Sequence, residues 1–267
     1  MTSSPAGPFK RFAFRVQYDG SGYHGWQSQP GIPETIQEKL EDAIALFFGQ
    51  ALSVQGASRT DAGVHARDQL AAVSIQHPID PQGFVKAINN RLPPAIALTS
   101  AREVALDYNP RFGNHGKTYC YRLYTAPNRR PLHDRYAWRV PWALNLSAMK
   151  AAAASVIGTQ DFACFAAADG DYLTTERTIY ELTHTEHSNG HIHIRVTGNA
   201  FMKYMVRILV GTMVEVGRGR LNPQEISTII AKRDRRLSGP TAPARGLELE
   251  RIYAHFETPP AMMSDLD

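Results

Sequence analysis

With 267 residues and 43% hydrophobic content, the chain is long enough to bury a substantial core in one large domain or two of ordinary size. Its formal net charge is +4. No apolar run approaches the roughly 20 residues that a membrane span needs, and Met1–Pro8 has no apolar stretch typical of a signal peptide. We therefore expect a folded protein of the cytoplasm with no membrane partner.

The first part of the chain predicts alternating strands and helices. Phe12–Tyr18 alternates apolar and polar residues and ends in a turn sequence, which is typical of a strand. Pro33–Phe48 carries a helical apolar stripe that Gly49 is suited to end. Further strands are predicted at 52–55, 69–75 and 96–104, and a second helix at 81–92. The order β-α-β-β-α-β is the split βαβ arrangement, in which helices cover one face of a mainly antiparallel sheet.

A similar succession follows a connector at Asn109–Gly116, which is rich in Gly, Asn and Pro. The pattern predicts strands at 118–125 and 247–256, helices at 147–157, 201–216 and 223–231, and a hairpin of 178–187 with 191–197. We therefore predict an α+β fold of two similar ferredoxin-like halves with mainly antiparallel sheets. The domains are expected at 9–108 and 109–257, with flexible tails at 1–8 and 258–267.

The two cysteines, Cys120 and Cys164, stand in apolar surroundings without CxxC spacing. This pattern argues against a disulfide framework and a structural zinc site, and it predicts two small core residues.

Basic residues are concentrated between Phe201 and Arg251, where ten Lys and Arg stand against five acids. Such clustering suits a polyanionic partner, because neutralising phosphates releases counterions. A solvated basic face explains the same count equally well.

One carboxylate, Asp61, occupies a predicted tight turn beside Arg59 and Gly63, within Ala57-Ser-Arg-Thr-Asp-Ala-Gly-Val-His-Ala66. The nearest other acids are Asp42 and Asp68, so this segment offers a single nucleophile and not a carboxylate pair. Taken alone, the pattern favours an aspartate that caps its own backbone, because such turns are far commoner than nucleophilic aspartates.

Residues 58–66 nevertheless resemble the signature of the TruA-type tRNA pseudouridine synthases. Further blocks resemble that family in its order along the chain: Tyr18–Gln27, Asn109–Phe112, Lys117–Tyr119, Phe201–Arg207 with Gly211, and Gly239–Leu247. Two departures are visible. Ser58 replaces the usual glycine, and residues 166–176 resemble no family pattern.

The resemblance implies isomerisation of uridine to pseudouridine in the anticodon arm of tRNA, at expected positions 38, 39 and 40. It implies no organic cofactor and no metal, a homodimer, and two halves joined across a central RNA-binding cleft. Asp61 would be the nucleophile, Tyr119 would stack on the displaced uracil, and Arg207 would pair with Asp61 and keep it ionised.

The resemblance also implies tRNA-binding residues. Arg59 would help to extrude the target nucleotide, since a stacked base is unreachable, and Arg111 with its neighbours Tyr108 and Phe112 would contact tRNA. On the predicted helix 201–216, Lys203 lies four residues before Arg207 on one face and is a candidate phosphate contact.

Ordinary structural roles remain open for several of these residues. Tyr119 and Tyr121 would also suit a half-buried strand. Tyr23 and Trp26 could stack on bases, but such residues more often belong to a core. The spacing of His24, His65 and His115 favours hydrogen-bonded structural histidines over metal ligands. For the whole chain, the alternatives are a non-catalytic RNA-binding module and an N-glycosidase that releases uracil.

Overall fold

The computed structural model describes residues 9–170 and 172–264, which form two compact units. The first unit is the described part of Met1–His115 with Leu249–Thr258, and the second is Gly116–Glu248 with the described part of Pro259–Asp267. The predicted tail 1–8 and the last three residues of the tail 258–267 lie outside the described residues. The fold is mixed α+β with mostly antiparallel strand pairing.

The elements follow one another in chain order: β1 (Phe9–Tyr18), α1 (Ile36–Phe48), β2 (Gln55–Gly56), β3 (His65–Gln76), α2 (Pro81–Asn89), β4 (Ile96–Val104), β5 (Asn114–Thr125), α3 (Pro131–Asp134), β6 (Trp138–Val140), α4 (Leu146–Ala154), β7 (Gly158–Asp161), β8 (Glu176–Glu186), β9 (His191–Gly198), α5 (Met205–Gly217), α6 (Glu225–Lys232), β10 (Leu247–Ala254) and α7 (Ala261–Ser264). None of the helices in the described part of the chain has the length and hydropathy of a membrane-spanning segment.

In the first unit the strand order is β4–β1–β3–β10, with β2 beside β3. The predicted order of strands and helices over this part is confirmed. The strand predicted at 52–55 is shorter and lies later, at Gln55–Gly56, where it pairs with Ala72 and Ala71 of β3. Conversely, β3 begins at His65, so the end of the Asp61 segment is already paired with β1 through Ala66 and Tyr18.

The two faces of β1 are buried against different partners. Phe12 and Phe14 pack against Phe84 of α2, with ring centroids 5.3 and 5.6 Å apart, and Phe84 also contacts Phe48 of α1. Because successive side chains of a strand point to opposite faces, Arg15 lies on the other side. The two helices therefore cover the phenylalanine face of β1.

Arg15 binds the returning end of the chain to the first unit. Its guanidinium donates to the Ile252 carbonyl at 2.7 Å and forms ion pairs with Asp68 at 3.1 Å and Glu257 at 2.5 Å. Burial alone would raise the pKa of Glu257, but the hydrogen bond from Arg15 and the positive charges nearby lower it overall. Leu249–Thr258, which the sequence places in the second domain, thus belongs with the first unit.

In the second unit the strand order is β5–β9–β8–β7, and β6 runs parallel to β5. The hairpin predicted from 178–187 and 191–197 is confirmed as β8 and β9, with Gly190 in the left-handed region at φ 80°. Cys120 and Cys164 are both free and fully buried, as predicted.

The helix predicted at 201–216 begins only at Met205, so the expectation that Lys203 shares a helical face with Arg207 is wrong. Tyr204 adopts left-handed backbone angles, with φ 63° and ψ 0°, and this single residue separates Lys203 from the helix. A bulky residue is uncommon in that region.

The middle of α5 packs against the backbone of residues 239–242. A Cβ on Gly211 would lie 1.7 Å from the Pro240 carbonyl oxygen. One residue on, the Thr212 hydroxyl accepts a hydrogen bond of 2.9 Å from the Gly239 N–H. Position 211 therefore requires a residue without a side chain.

We predict that Gly211→Ala lowers the thermal midpoint by roughly 5 °C, because overpacking costs about 1–3 kcal/mol. In an ordinary helix interior the same change stabilises by up to about 1 kcal/mol. Thermal denaturation followed by circular dichroism measures the effect. Thr228→Ala, at an exposed position of α6, is the control and should change the midpoint little. An unchanged midpoint for Gly211→Ala would contradict the close approach.

Candidate active site

The segment that carries Asp61 connects β2 to β3, and its first half is fixed by a buried glutamine. Gln69 donates from Nε2 to the Ser58 carbonyl at 2.6 Å and accepts from the Ser58 N–H at 3.2 Å. The Ala57 N–H donates to the Leu70 carbonyl at 2.8 Å. Because Gln69 is fully buried, the entry to the loop is held by internal hydrogen bonds and not by solvent.

Ser58, which replaces the family's usual glycine, is compatible with this backbone. Among the described non-glycine residues, positive φ values occur at Glu34, Tyr204 and Arg233. Ser58 therefore lies outside the left-handed region that would favour glycine. A serine fits here without backbone strain.

The second half of the loop is held by residues 18–26, which belong to another block of the family resemblance. The Tyr18 hydroxyl lies 2.8 Å from the Thr60 hydroxyl, and the Trp26 N–H donates to the Thr60 carbonyl at 3.1 Å. The Gly63 N–H donates to the Tyr23 carbonyl at 3.2 Å. Thus the residues on both sides of Asp61 are bonded to one neighbouring segment.

A glycine allows these two segments to approach each other. Gly25 has φ 92°, and a Cβ there would lie 2.6 Å from the Thr60 carbonyl oxygen and 3.2 Å from the Asp61 carbonyl carbon. Trp26, beside it, is 1% exposed and packs against Tyr18, so Trp26 is a core residue and not a base-stacking surface.

Asp61 itself is half-buried, at the start of a turn closed by the Val64 N–H on the Asp61 carbonyl at 3.1 Å. Two residues before it, Arg59 is exposed. In the described part of the chain no hydrogen bond or ion pair engages the Arg59 guanidinium. The loop therefore carries one half-buried carboxylate and one exposed cation on a backbone fixed on both sides.

The predicted tRNA-binding residues Tyr108, Arg111 and Phe112 lie in a tight loop before β5. The Tyr108 hydroxyl donates to the Gly113 carbonyl at 3.1 Å, so its polar group closes the loop. Phe112 is 73% exposed, and the Arg111 guanidinium lies 5.7 Å from its ring centre. Arg111 and Phe112 together expose a cation and an aromatic face.

Tyr119 and Tyr121 lie on β5 and have different surroundings. Tyr119 is 5% exposed, and its ring meets Phe201 edge to face at 5.3 Å. Tyr121 is fully buried and donates to the Pro243 carbonyl at 2.8 Å; burial raises its pKa. Tyr121 is therefore a structural residue, which is the role that the sequence left open for it as part of a strand.

Arg207 is anchored on α5 by its own unit. Its Nε donates to the Ala242 carbonyl at 2.8 Å, and the Ala242 N–H donates to the Arg207 carbonyl at 3.1 Å. The guanidinium carbon lies 4.8 Å from the centre of the Tyr204 ring. The left-handed residue that delays the helix thus supplies a stacking surface to Arg207.

Lys203 is held by the segment for which the sequence offered no interpretation. Its ammonium pairs with Asp169 at 2.7 Å, its N–H donates to the Tyr172 hydroxyl at 3.1 Å, and its carbonyl accepts from the Ala167 N–H at 3.1 Å. The ion pair lowers the pKa of Asp169. Ala167, Asp169 and Tyr172 of this segment are therefore bonded to Lys203.

Of the predicted structural histidines, His65 is buried and its Nδ1 accepts from the Gly20 N–H at 3.1 Å. His24 donates from Nδ1 to the Pro33 carbonyl at 2.8 Å. Within residues 9–170 and 172–264, no group of three or more His, Cys, Asp or Glu side chains is placed to hold a metal ion.

Sequence reasoning missed Gln69, Tyr204 and Asp169 as parts of these arrangements. Gln69 had a usable signal, because it stands directly before the apolar residues 70–73 of a predicted strand and a buried glutamine must find partners. Tyr204 had none, since the largely apolar pattern of 201–216 shows no break at this residue. Asp169 lies 34 residues from Lys203 in the sequence, so no local pattern links the two.

Comparison with known proteins identifies the family. The family model described as tRNA pseudouridine synthase matches residues 15–113 and 152–253. The chain belongs to this family. It is 39% identical over 251 residues to tRNA pseudouridine synthase A of Myxococcus xanthus, covering 94% of each chain. It is 40% identical over 238 residues to the enzyme of that name from Geobacter sulfurreducens, covering 89% of this chain and 96% of the relative.

The chain is therefore an isomerase of the tRNA pseudouridine synthase family. Asp61 and Arg207 fall inside the two segments that the family model matches. Tyr119 falls between them, so its assignment depends on the Lys117–Tyr119 sequence resemblance.

We predict that Gly25→Ala reduces pseudouridine formation about 100-fold, because a displacement of about 1 Å at a reacting group costs that much. The Cβ would push Thr60 and Asp61 away, and φ 92° disfavours alanine. Steady-state kinetics measures the change. Gly22→Ala is the control, since a Cβ there meets no atom within 4 Å. Equal activity in both variants would show that the approach at Gly25 is unimportant.

Proposed function

We propose that this protein converts uridine to pseudouridine in tRNA. The supporting observation is the family match over residues 15–113 and 152–253, together with a loop that fixes Asp61 on both sides. The reaction breaks the bond between uracil N1 and the ribose C1′ and forms a bond from C5 to C1′. C5 loses a proton and N1 gains one, so substrate and product are isomers. No oxidant or reductant is needed, which agrees with the expectation of no cofactor.

In this proposal Asp61 starts the reaction. An ionised carboxylate either attacks the sugar carbon directly or removes a sugar proton to give a glycal, and both routes release the uracil for rotation. Either route requires precise placement of one carboxylate. The hydrogen bonds to Ser58, Thr60 and Gly63 supply such placement within the first unit.

The second unit supplies the other proposed catalytic residues. Tyr119 would stack on the displaced uracil and assist removal of the C5 proton, and Arg207 would provide the positive charge that keeps Asp61 ionised. Support for Arg207 comes from its fixed orientation between the Ala242 carbonyl and the Tyr204 ring. A guanidinium held in this way loses little conformational freedom when it binds an anion.

The target nucleotide must leave its stack before Asp61 can reach the sugar. We assign extrusion to Arg59, which is exposed and has its guanidinium available two residues before Asp61. Arg111 and Phe112 are suited to bind an unstacked neighbouring nucleotide, one through its phosphate and the other through its base. Tyr108 would act indirectly by closing their loop.

We further propose that the protein modifies positions 38, 39 and 40 of the anticodon arm. It would consist of two related ferredoxin-like halves that bind RNA in a central cleft, form a homodimer and act in the cytoplasm. In a dimer, the basic residues of 201–251 would hold the body of a tRNA whose target lies at the other subunit. Light scattering of the active protein tests this, and a strictly monomeric active enzyme would reject it.

We predict that Asp61→Asn lowers turnover by at least about 1,000-fold, the scale for loss of a nucleophile, and leaves tRNA binding nearly unchanged. The amide has the shape of the carboxylate but no charge. Tritium release from C5-labelled uridine in tRNA measures turnover, and filter binding measures affinity. Asp42→Asn, at an exposed position of α1, is the matched control and should keep wild-type activity.

The products of the same assay separate the alternatives. Free uracil would indicate an N-glycosidase, whereas uracil retained in the RNA excludes it. Tight tRNA binding without any tritium release from the wild type would indicate a binding module. Equal turnover by Asp61→Asn and wild type would reject Asp61 as the nucleophile.

Substitutions at Lys203 and Asp169 are expected to change tRNA affinity in opposite directions. If Lys203 binds a tRNA phosphate, the phosphate competes with Asp169 for the ammonium. Lys203→Met should then weaken tRNA binding several-fold and reduce the salt slope by about 1, whereas Asp169→Asn should tighten binding. Filter binding at several salt concentrations measures both. Weaker binding in both variants would show that the ion pair only supports the loop.

A further inference from the structure

The chain between β5 and β6 carries a second, separate concentration of positive charge. Residues 127–139, which we call the arginine turn, contain four arginines and a single acid, Asp134. The resulting charge of +3 in 13 residues compares with +4 for the whole chain. The arginine turn lies between the two segments matched by the family model and outside the proposed catalytic residues.

The arginine turn is a fixed structure. The Tyr124 hydroxyl donates to Asp134 at 2.5 Å and accepts from the Arg130 N–H at 3.0 Å. Arg139 donates to the Pro127 carbonyl at 2.7 Å, and His133 hydrogen-bonds His191 of β9. The two ends of the turn are therefore bonded to each other, and its middle is bonded to β5 and β9.

This arrangement directs arginine side chains outwards. Asp134 engages only the Nε of Arg129, at 3.0 Å, and the Arg129 side chain is 76% exposed. In the described part of the chain no hydrogen bond engages its two terminal nitrogens. Arg130 is also exposed and uses one terminal nitrogen, which donates to the Asn189 carbonyl at 3.0 Å. Guanidinium edges presented in this way match phosphate oxygens.

Exposed apolar groups accompany the charge. Tyr136 is 41% exposed, and the Arg135 guanidinium lies 5.4 Å from its ring centre. Leu132 is 93% exposed. A solvated charged face has no need of exposed aromatic and aliphatic side chains, whereas a nucleic-acid surface combines cations for phosphates with flat groups for sugars and bases.

Resting on the proposed function, we propose that the arginine turn binds the sugar–phosphate backbone of tRNA away from the nucleotide being modified. Its distance from the proposed catalytic tyrosine supports this position. Tyr119 and Tyr124 lie five residues apart on β5, which corresponds to roughly 16 Å of strand. The contact therefore adds affinity and positions the tRNA without touching the reacting base.

The double variant R129A/R130A tests the proposal. The variant loses the side-chain bonds of Arg129 to Asp134 and of Arg130 to the Asn189 carbonyl, but it keeps the bond from the Arg130 backbone N–H to Tyr124 and the bond from Tyr124 to Asp134. We expect the dissociation constant for tRNA to rise five- to tenfold, with a salt slope lower by roughly 1.5. Turnover at saturating tRNA should stay at the wild-type value. Filter binding from 50 to 200 mM salt and single-turnover kinetics measure these quantities.

The control is R91A/R102A, which removes two exposed arginines from the first unit and should leave affinity and slope unchanged. Wild-type affinity and slope in R129A/R130A, or an equal loss in both double variants, would overturn the proposal. Absence of tRNA binding by the wild type would instead reject the proposed function. If the wild type binds and modifies tRNA and R129A/R130A behaves like it, only the proposal for the arginine turn is rejected.

Discussion

The candidate site of the first unit depends on one close approach of two backbone segments. Antiparallel pairing of β1 with β3 sets Tyr18 opposite Ala66, so the residues that follow β1 must pass beside the residues that precede β3. Gly25 lets these two segments touch. The hydrogen bonds from residues 18–26 to Thr60 and Gly63 form only at this separation, and Asp61 is fixed between them. Sheet register thus determines where the carboxylate lies.

The second unit fixes its cation by the same physical means. Gly211 allows α5 to approach the backbone at Pro240, and this approach brings the Ala242 carbonyl within hydrogen-bond distance of Arg207. In both units a glycine removes side-chain bulk and backbone hydrogen bonds then hold the contact. Rigidity at a functional residue therefore comes from directional bonds, since apolar packing alone tolerates larger displacements.

Local patterns in the sequence predicted the elements whose stability is local. The stripe of α1 and its end at Gly49, the turn at Gly190 and the alternation of β1 all act over a few residues. Effects between distant residues were not predictable. The largely apolar pattern of 201–216 hides the left-handed backbone of Tyr204. Likewise, the placement of Leu249–Thr258 depends on Arg15, more than 230 residues away.

Charge counts were the least reliable guide, because most of the counted cations already have carboxylate partners. Between residues 201 and 251, ion pairs within the described part of the chain engage at least six of the ten basic side chains: Lys203, Arg218, Arg220, Arg233, Arg236 and Arg251. The affinity of a cation for a phosphate is reduced by the energy needed to separate it from such a partner. In the arginine turn the single carboxylate, Asp134, pairs with Arg129 through one oxygen and accepts from the Tyr124 hydroxyl through the other. A phosphate that binds Arg129 and Arg130 therefore competes with one carboxylate contact, the bond from the Arg129 Nε to Asp134, and with the bond from Arg130 to the Asn189 carbonyl.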